Sequence, residues 1–492
     1  QLMKLLTELG LTAKDRKSVM VTGLSVDSRL VAQGHLFAAL QGLTAHGADF
    51  VPMALKNGAA AILIDAQGAA KVQAMVEEAG AALIVAQAPR AALSMAAALW
   101  FGAQPKTMAA VTGTNGKTSV ASFTRQIWSA LGYEAINIGT TGVEGAFTAP
   151  SPHTTPEPVT LHKMLARAAE LHVTHAVMEA SSHGLDQARL DGVKLRAAAF
   201  TNFTQDHLDY HQSFDAYFRA KARLFDRVLP DDGAAVINMD DPRGADIAQI
   251  VQARGQRIIR VGRSDGCDLR LLAQRFDAGG QEVRFEWGAR LYQAYLPLIG
   301  GFQAENAALA AGLAIGSGAP VGEVMAALPR LVGVRGRMQR AGVRSNGALV
   351  FVDYAHTPDA LETALLALRP HVMGRIVLVF GAGGDRDRTK RPLMGHAAAL
   401  YADMVFVTDD NPRSEPPAQI RAAILEACPL AAEVGDRAEA ILRGVDTLGP
   451  GDALLIAGKG HETGQVIGGD IYPFDDVEQA SISVAALDGI IR

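Results

Sequence analysis

Phosphate chemistry is written most plainly in the run Met108-Ala109-Ala110-Val111-Thr112-Gly113-Thr114-Asn115-Gly116-Lys117-Thr118-Ser119. A short apolar strand enters a Gly-bounded turn, and a helix is expected to about Leu131, where Gly132 ends it. Backbone N–H groups at such a helix start, with Lys117 beside them, form a cradle for phosphate oxygens. Thr118 would place its hydroxyl on Mg²⁺. Val111 stands where the common P-loop has its first glycine, which disfavours a GTPase-type loop. The plain alternative is a Gly-rich turn beside a chance Lys-Thr.

Further candidates follow other apolar runs. His175 to Met178 leads into Glu179-Ala180-Ser181-Ser182-His183-Gly184. A carboxylate at that end of a parallel strand can hold a metal ion on a nucleotide, although a solvated strand end has the same appearance. Ala197 to Thr201 leads into a segment carrying His207 and His211 at helical spacing. No Cys lies nearby and no Glu follows His207, so an oxygen-rich Mg²⁺ site with one His is favoured over zinc. Lys221 lies in an amphipathic helix expected over Phe214 to Leu224, with Arg219 and Arg223, and spacing alone reads it as a surface lysine. Gly381-Ala382-Gly383-Gly384-Asp385-Arg386 lacks a dinucleotide fingerprint and reads as a polar loop for a charged ligand. Asp410-Asn411-Pro412-Arg413 packs an acid, an amide and a guanidinium into four residues, enough to meet both an ammonium and a carboxylate. It is equally an ordinary Asx-Pro turn.

These residues need a scaffold of alternating strands and helices. With 492 residues the chain is too long for one ordinary domain. The 50 glycines sit mostly at the ends of short apolar runs, the pattern of α/β proteins. Three sections differ in texture, with boundaries expected at 1–103, 104–335 and 336–492 and Gln104-Pro105-Lys106 as a linker. Strands are expected at Ala60 to Ile64 and Ala82 to Val85 in the first. In the third, Leu349 to Val352, Ile376 to Phe380, Met404 to Val407 and Ala453 to Ile456 alternate with helical patterns such as Pro358 to Leu368, predicting a doubly wound parallel sheet.

Composition excludes several function classes. A net charge of -5 gives no electrostatic footprint for nucleic acid and no polybasic membrane patch. Apolar runs fall well short of the ~20 residues of a membrane span. Cys267 and Cys428 are the only cysteines, too few for a disulfide framework or a Cys-rich zinc site. The expectation is a soluble cytoplasmic protein.

In combination, Gly113 to Ser119, Glu179 to Gly184, Thr201-Asn202 to His211, Asp353-Tyr354-Ala355-His356 and Asp410 to Arg413 occur in the order seen in Mur ligases. The chain resembles most closely the branch that adds meso-2,6-diaminopimelate to UDP-N-acetylmuramoyl-L-alanyl-D-glutamate in peptidoglycan precursor synthesis. The resemblance runs through essentially the whole chain. It implies three α/β domains: an N-terminal UDP-substrate domain, a central P-loop ATPase domain with a mostly parallel sheet, and a C-terminal Rossmann-like domain for the amino acid. It also implies ATP, two Mg²⁺ sites and monomeric action on small molecules.

Carried over by position, Gly113, Thr114, Asn115, Gly116, Lys117, Thr118 and Ser119 would hold ATP, with Asn306, Arg337 and Asp353. Thr118 and Glu179 would hold one Mg²⁺; His207 and Lys221, the latter as a carbamate, would serve a second. Val26, Ser28, Leu43, Thr44, Ala45, His153, Thr154, Thr155, Ser181, Gln187 and Arg189 correspond to the UDP-muramoyl-peptide site. Arg386, Asp410, Asn411, Pro412, Arg413, Gly458 and Glu462 correspond to the diaminopimelate site. The sequence departs from the family pattern at Gln303, Leu43-Thr44 and His153. Rival readings are the lysine-adding branch and a P-loop NTPase switch or motor without an amine acceptor.

Overall fold

A computed structural model of the chain describes residues 2–15, 18–42, 44–204 and 213–489. Leu43, His207 and His211 therefore lie outside the described residues. Two compact units are present, Gln1–Asp268 with Leu309–Val324, and Leu269–Ala308 with Met325–Arg492.

In the first unit, the strands Gly23–Ser25, His35–Ala38, Ala61–Ile64 and Ala82–Val85 form an all-parallel sheet in that order. A larger sheet carries the phosphate run. Its parallel order is Arg257–Gly262, Ala234–Asn238, Leu195–Phe200, Thr107–Thr112, His175–Glu179 and Ala135–Gly139, with Gly142–Gly145 antiparallel to the last. The continuous apolar run Met108 to Val111 makes sense at a central position, because helices cover both faces and every residue there is fully buried. The helix Lys117–Ala130 buries Val120, Phe123, Ile127 and Trp128, each burial contributing about 1.5–3 kcal/mol. Register does the rest. Glu179 pairs with Val111 and Phe200 with Thr112, so three neighbouring strands end together and deliver their loops to one edge.

The expected linker is a packed seam. Gln104 accepts from Lys194 N at 3.0 Å and donates to Gly192 O at 3.4 Å, and Ser94 Oγ donates to Ala188 O at 2.6 Å. The apolar helix Pro89–Phe101 supplies the reason, since it buries Leu93, Ala96, Ala97 and Trp100.

The second unit begins with an antiparallel meander, Leu269–Asp277, Gly280–Trp287 and Arg290–Leu296. Its main sheet runs Gln339–Val343, Leu349–Asp353, Ala453–Ala457, Ile376–Phe380, Met404–Val407, Ala432–Glu433, with only the first strand antiparallel. Apolar clusters around Leu378 and Val379 fill its two faces. A hairpin, Gly464–Ile467 with Asp470–Pro473, follows the central strand. Segment 269–308, which the sequence reading keeps with the central section, clusters with the C-terminal unit. No helix among the described residues is long and apolar enough to cross a membrane.

Candidate active site

The phosphate loop is held by backbone. Gly116 starts the helix at φ 83 and Gly113 sits at φ 147, both in the region that glycine alone enters freely. A Cβ on Gly113 would collide with Thr201 Oγ1, so the close approach of the two loops also requires glycine. Thr201 Oγ1 donates to Asn115 O at 2.6 Å, Thr114 N donates to Asn202 O at 2.9 Å, and Asn115 N donates to Asn202 Oδ1 at 2.8 Å. Lys117 Nζ folds back onto Gly113 O (2.9 Å) and Thr114 O (2.8 Å). Those are the contacts a cation makes when it closes an anion-binding loop from the inside.

Thr118 Oγ1 donates to Glu179 Oε2 at 3.0 Å, and Glu179 Oε1 accepts from Thr140 N at 2.9 Å. Both side chains are buried, and Gly139 has no room for a Cβ beside the Glu179 carboxylate. A hydroxyl and a buried carboxylate next to a phosphate loop suit a hard cation. Among the described residues no group of three or more His, Cys, Asp or Glu could enclose a metal. Phosphate oxygens and water would complete the shell, as Mg²⁺ prefers.

Lys221 is not a surface lysine. Its side chain is 1% exposed, and Nζ donates to Gly113 O at 2.8 Å and lies 4.4 Å from the centre of the Tyr217 ring. The helix Phe214–Arg223 is amphipathic as expected, but Lys221 lies on its buried face together with Tyr217, Phe218, Ala220 and Ala222.

The predicted UDP-muramoyl residues converge in part. Thr155 Oγ1 donates to Glu179 O (2.8 Å) and accepts from Ser181 N (2.9 Å). Arg189 donates to Thr155 O at 2.6 Å and forks onto Gln187 Oε1 at 2.8 and 3.2 Å. Thr154 and Thr140 hydroxyls are 3.0 Å apart. Val26, Gln187 and Arg189 line a cavity of about 200 Å³ together with Arg90 and Glu157, which sequence reasoning missed. Ser28 is buried against Met53, Thr44 and His153 are exposed, and Ala45 closes a short turn onto Gly42.

In the second unit, Asp353 accepts from Met338 N (2.7 Å) and Ala355 N (2.8 Å), and the Arg337 guanidinium lies 5.0 Å from the Tyr354 ring. Burial pushes the Asp353 carboxyl upward, against the pull of Arg337 and the two amides. Asn306 donates to Gln303 Oε1 at 3.0 Å, so the departing residue Gln303 is a structural partner of a predicted site residue.

The loop Asp410 to Arg413 lies at the end of its strand, threaded between two others. Asn411 O accepts from Gly384 N at 2.9 Å, Arg413 donates to Gly384 O at 2.8 Å, and Arg413 N donates to Val466 O at 3.0 Å. Arg413 sits at φ 52, and Pro412 and Asp410 are buried. Asn411 donates to Glu462 at 2.9 Å, and Gly458, at φ 118, leaves no space for a Cβ beside Asp410. Arg386 is exposed on the neighbouring loop. Beneath them, the fully buried Arg437 pairs with Asp476 at 2.7 Å and donates to Ala457 O (3.0 Å) and Asp409 O (3.2 Å). Lys459 was also missed. Its signal, a lysine between two glycines directly after an all-apolar strand, is present in the sequence.

A nucleotide-type loop, an acid beside it and a second α/β unit with a polar loop cluster define a class, and sequence comparison agrees. The chain matches the Mur ligase family, catalytic domain over residues 20–100, the Mur ligase middle domain over 111–314 and the Mur ligase glutamate ligase domain over 336–460. It belongs to the Mur ligase family, enzymes that use ATP to form amide bonds. It is 50% identical over 471 residues to the UDP-N-acetylmuramoyl-L-alanyl-D-glutamate–2,6-diaminopimelate ligase of Bradyrhizobium diazoefficiens, covering 95% of each chain. The ligase of that name from Caulobacter vibrioides is 49% identical over 479 residues, 96% of each. A solved structure of a ligase with this name superposes with a TM-score of 0.72 at 34% identity, covering 95% of both chains.

Proposed function

We propose that this chain joins meso-2,6-diaminopimelate to UDP-N-acetylmuramoyl-L-alanyl-D-glutamate at the expense of ATP, as a cytoplasmic monomer. The observation that carries the reading is the end-to-end match, at half identity, to ligases named for that reaction. In this reading the chain divides into three domains at 1–103, 104–335 and 336–492, although segment 269–308 clusters with the C-terminal unit.

A carboxylate is a poor electrophile, so the D-glutamyl carboxylate first takes the γ-phosphoryl group of ATP, giving an acyl phosphate and ADP. Residues 113–119 bind the phosphates, with Lys117 offsetting the repulsion between two anions. Thr118 and Glu179 would hold one Mg²⁺, and His207 and a carbamylated Lys221 would serve a second. When bound, such ions would supply charge neutralisation to the phosphoryl group that Lys117 and the loop amides orient. Arg337, Asn306 and Asp353 are further nucleotide-binding residues in this reading. Val26, Ser28, Leu43, Thr44, Ala45, His153, Thr154, Thr155, Ser181, Gln187 and Arg189 orient the UDP-linked substrate.

The amine of diaminopimelate then attacks the acyl carbon as the free base. The tetrahedral intermediate gives up a proton from nitrogen, the C–O bond to phosphate breaks, and the amide and inorganic phosphate remain. Arg386, Asp410, Asn411, Pro412, Arg413, Gly458 and Glu462 bind the amino acid. Arg413 is suited to the distal carboxylate, because guanidinium grips carboxylate through two parallel N–H···O bonds. Incubation with ATP, UDP-muramoyl dipeptide and either meso-diaminopimelate or L-lysine, followed by product mass, tests the assignment. Product mass is expected to rise by a diaminopimelyl residue; efficient lysine addition instead would overturn the amine assignment.

A further inference from the structure

We propose that Lys459 is a positioning residue of the amino-acid site, setting the orientation of Asn411 and Glu462 without touching the incoming amine itself. The proposal rests on the reading of Asp410 to Arg413 as the diaminopimelate loop. Lys459 is 0% exposed. A buried ammonium is costly unless acceptors surround it, so what it faces shows its purpose. Nζ donates to Asn411 Oδ1 at 3.0 Å and to Glu462 Oε2 at 3.3 Å, and lies 4.0 Å from Asp410 Oδ1. These polar contacts among the described residues all go to side chains that the amino-acid site claims. Lys221 differs, since its ammonium holds a backbone carbonyl.

The consequence for Asn411 is geometric. Its Oδ1 accepts from both Lys459 Nζ and Val466 N (2.9 Å), which settles which end of the amide is oxygen. The Nδ2 end is thereby turned to Glu462 Oε2 at 2.9 Å. The consequence for charge is equally direct. Lys459 places one positive charge within 4.0 Å of both Asp410 and Glu462, with Arg437 and Lys390 as further cations facing these carboxylates. Without Lys459 the two carboxylates would lose the cation that lies within 4.0 Å of both, and Asn411 would lose one of the two donors that fix its Oδ1.

The test uses the full-length enzyme with Lys459→Met and Lys459→Arg. Lys459→Met keeps the length of the side chain and removes its charge. Its KM for meso-diaminopimelate should rise about thirty-fold or more, while KM for ATP and for the UDP-linked substrate stays within about twofold. Lys459→Arg, which keeps the charge but not the point-like donor, should fall between Met and wild type. A KM for diaminopimelate within threefold of wild type in folded Lys459→Met overturns the proposal, as does a parallel rise in KM for ATP. A folded Lys459→Arg enzyme with unchanged diaminopimelate KM overturns it too, whether or not the Met variant folds. Failure of the underlying reading looks different: wild type would then not select diaminopimelate over L-lysine at all.

Discussion

The phosphate loop and the amino-acid loop both lie at the C-terminal ends of parallel strands, yet they are built on opposite plans. At residues 113–118 the contacts are carried by backbone amides and carbonyls of one continuous strand–turn–helix, pinned by the adjoining 201–204 turn. At residues 410–413 the geometry comes from separate segments: the side chains of Lys459 and Glu462 from one strand end hold Asn411, while the backbone of Gly384 from another strand end and of Val466 from a hairpin hold Asn411 and Arg413. A backbone cradle suits a ligand that every member of a family must bind. A side-chain lattice lets the accepted amine change while the sheet stays the same.

The contrast can be broken most severely at Lys117. Lys117→Ala should lower kcat on the order of a thousandfold or more, because phosphate charge is left uncompensated in a dehydrated loop. Near wild-type turnover by a folded variant would defeat the phosphate assignment. Lys221→Ala should cost roughly a hundredfold to a thousandfold and regain part of the loss with added acetate or propionate, whose carboxylate replaces the carbamate. A loss that no carboxylate restores argues for the ammonium contact to Gly113 instead.

Arg413→Ala sharpens the comparison from the other side. Truncating one partner of a buried charged pair costs about 2–5 kcal/mol, which is roughly thirty-fold to a few thousand-fold in kcat/KM for diaminopimelate. L-Lysine should lose much less and KM for ATP should hardly move. Alanine meets the same backbone constraint at φ 52 that arginine does, so side-chain loss dominates. A mutant that keeps its discrimination between the two amines would falsify the role.

The smallest effect probes the scaffold of the first unit. His162 is 1% exposed, its Nε2 has no hydrogen-bond partner among the described residues, and burial lowers its pKa to about 4. The unfolded chain takes up this proton near pH 6.5 and the folded one does not until about pH 4. Stability from the neutral ring is thus present above 6.5 and is lost as pH falls toward 4. Between pH 7 and 5 that loss is about 2 kcal/mol. Urea unfolding at both pH values should show His162→Gln losing less than wild type by that amount; an identical pH dependence would assign the acid sensitivity elsewhere.

Much of the fold was readable from the sequence. Apolar runs locate Ile376–Phe380, which Gly381 ends, and Met404–Val407 as observed, and Thr357-Pro358 marks the start of the helix Pro358–Leu368. The meander Leu269–Leu296 escaped because charged and polar residues interrupt its apolar ones, leaving no continuous apolar run to mark a strand. Among site residues, Thr118 and Glu179 were accessible because each follows its own apolar strand, and parallel register makes them neighbours. Burial of Lys221 was not, since helical spacing gives a face without saying what covers it. Arg437 was not legible for a related reason, since its partners Asp409, Ala457 and Asp476 are distant in sequence, whereas Lys459 carries a local signal that does not say its ammonium is buried against Asn411.

Arg437 also bears on any attempt to transplant substrate choice between relatives. Its guanidinium ties the strand ends at Asp409 and Ala457 to Asp476, at the first turn of the last helix. Swapping the 410–413 loop alone would install new side chains on a floor still tailored to the old ones. A graft that carries Arg437 without its helix leaves a guanidinium stranded in the interior. The transferable module is therefore discontinuous, comprising the 384, 410 and 458–466 segments together with residues 437 and 476–487, and chimeras cut at a single point in this unit will separate pieces that the buried ion pair makes inseparable.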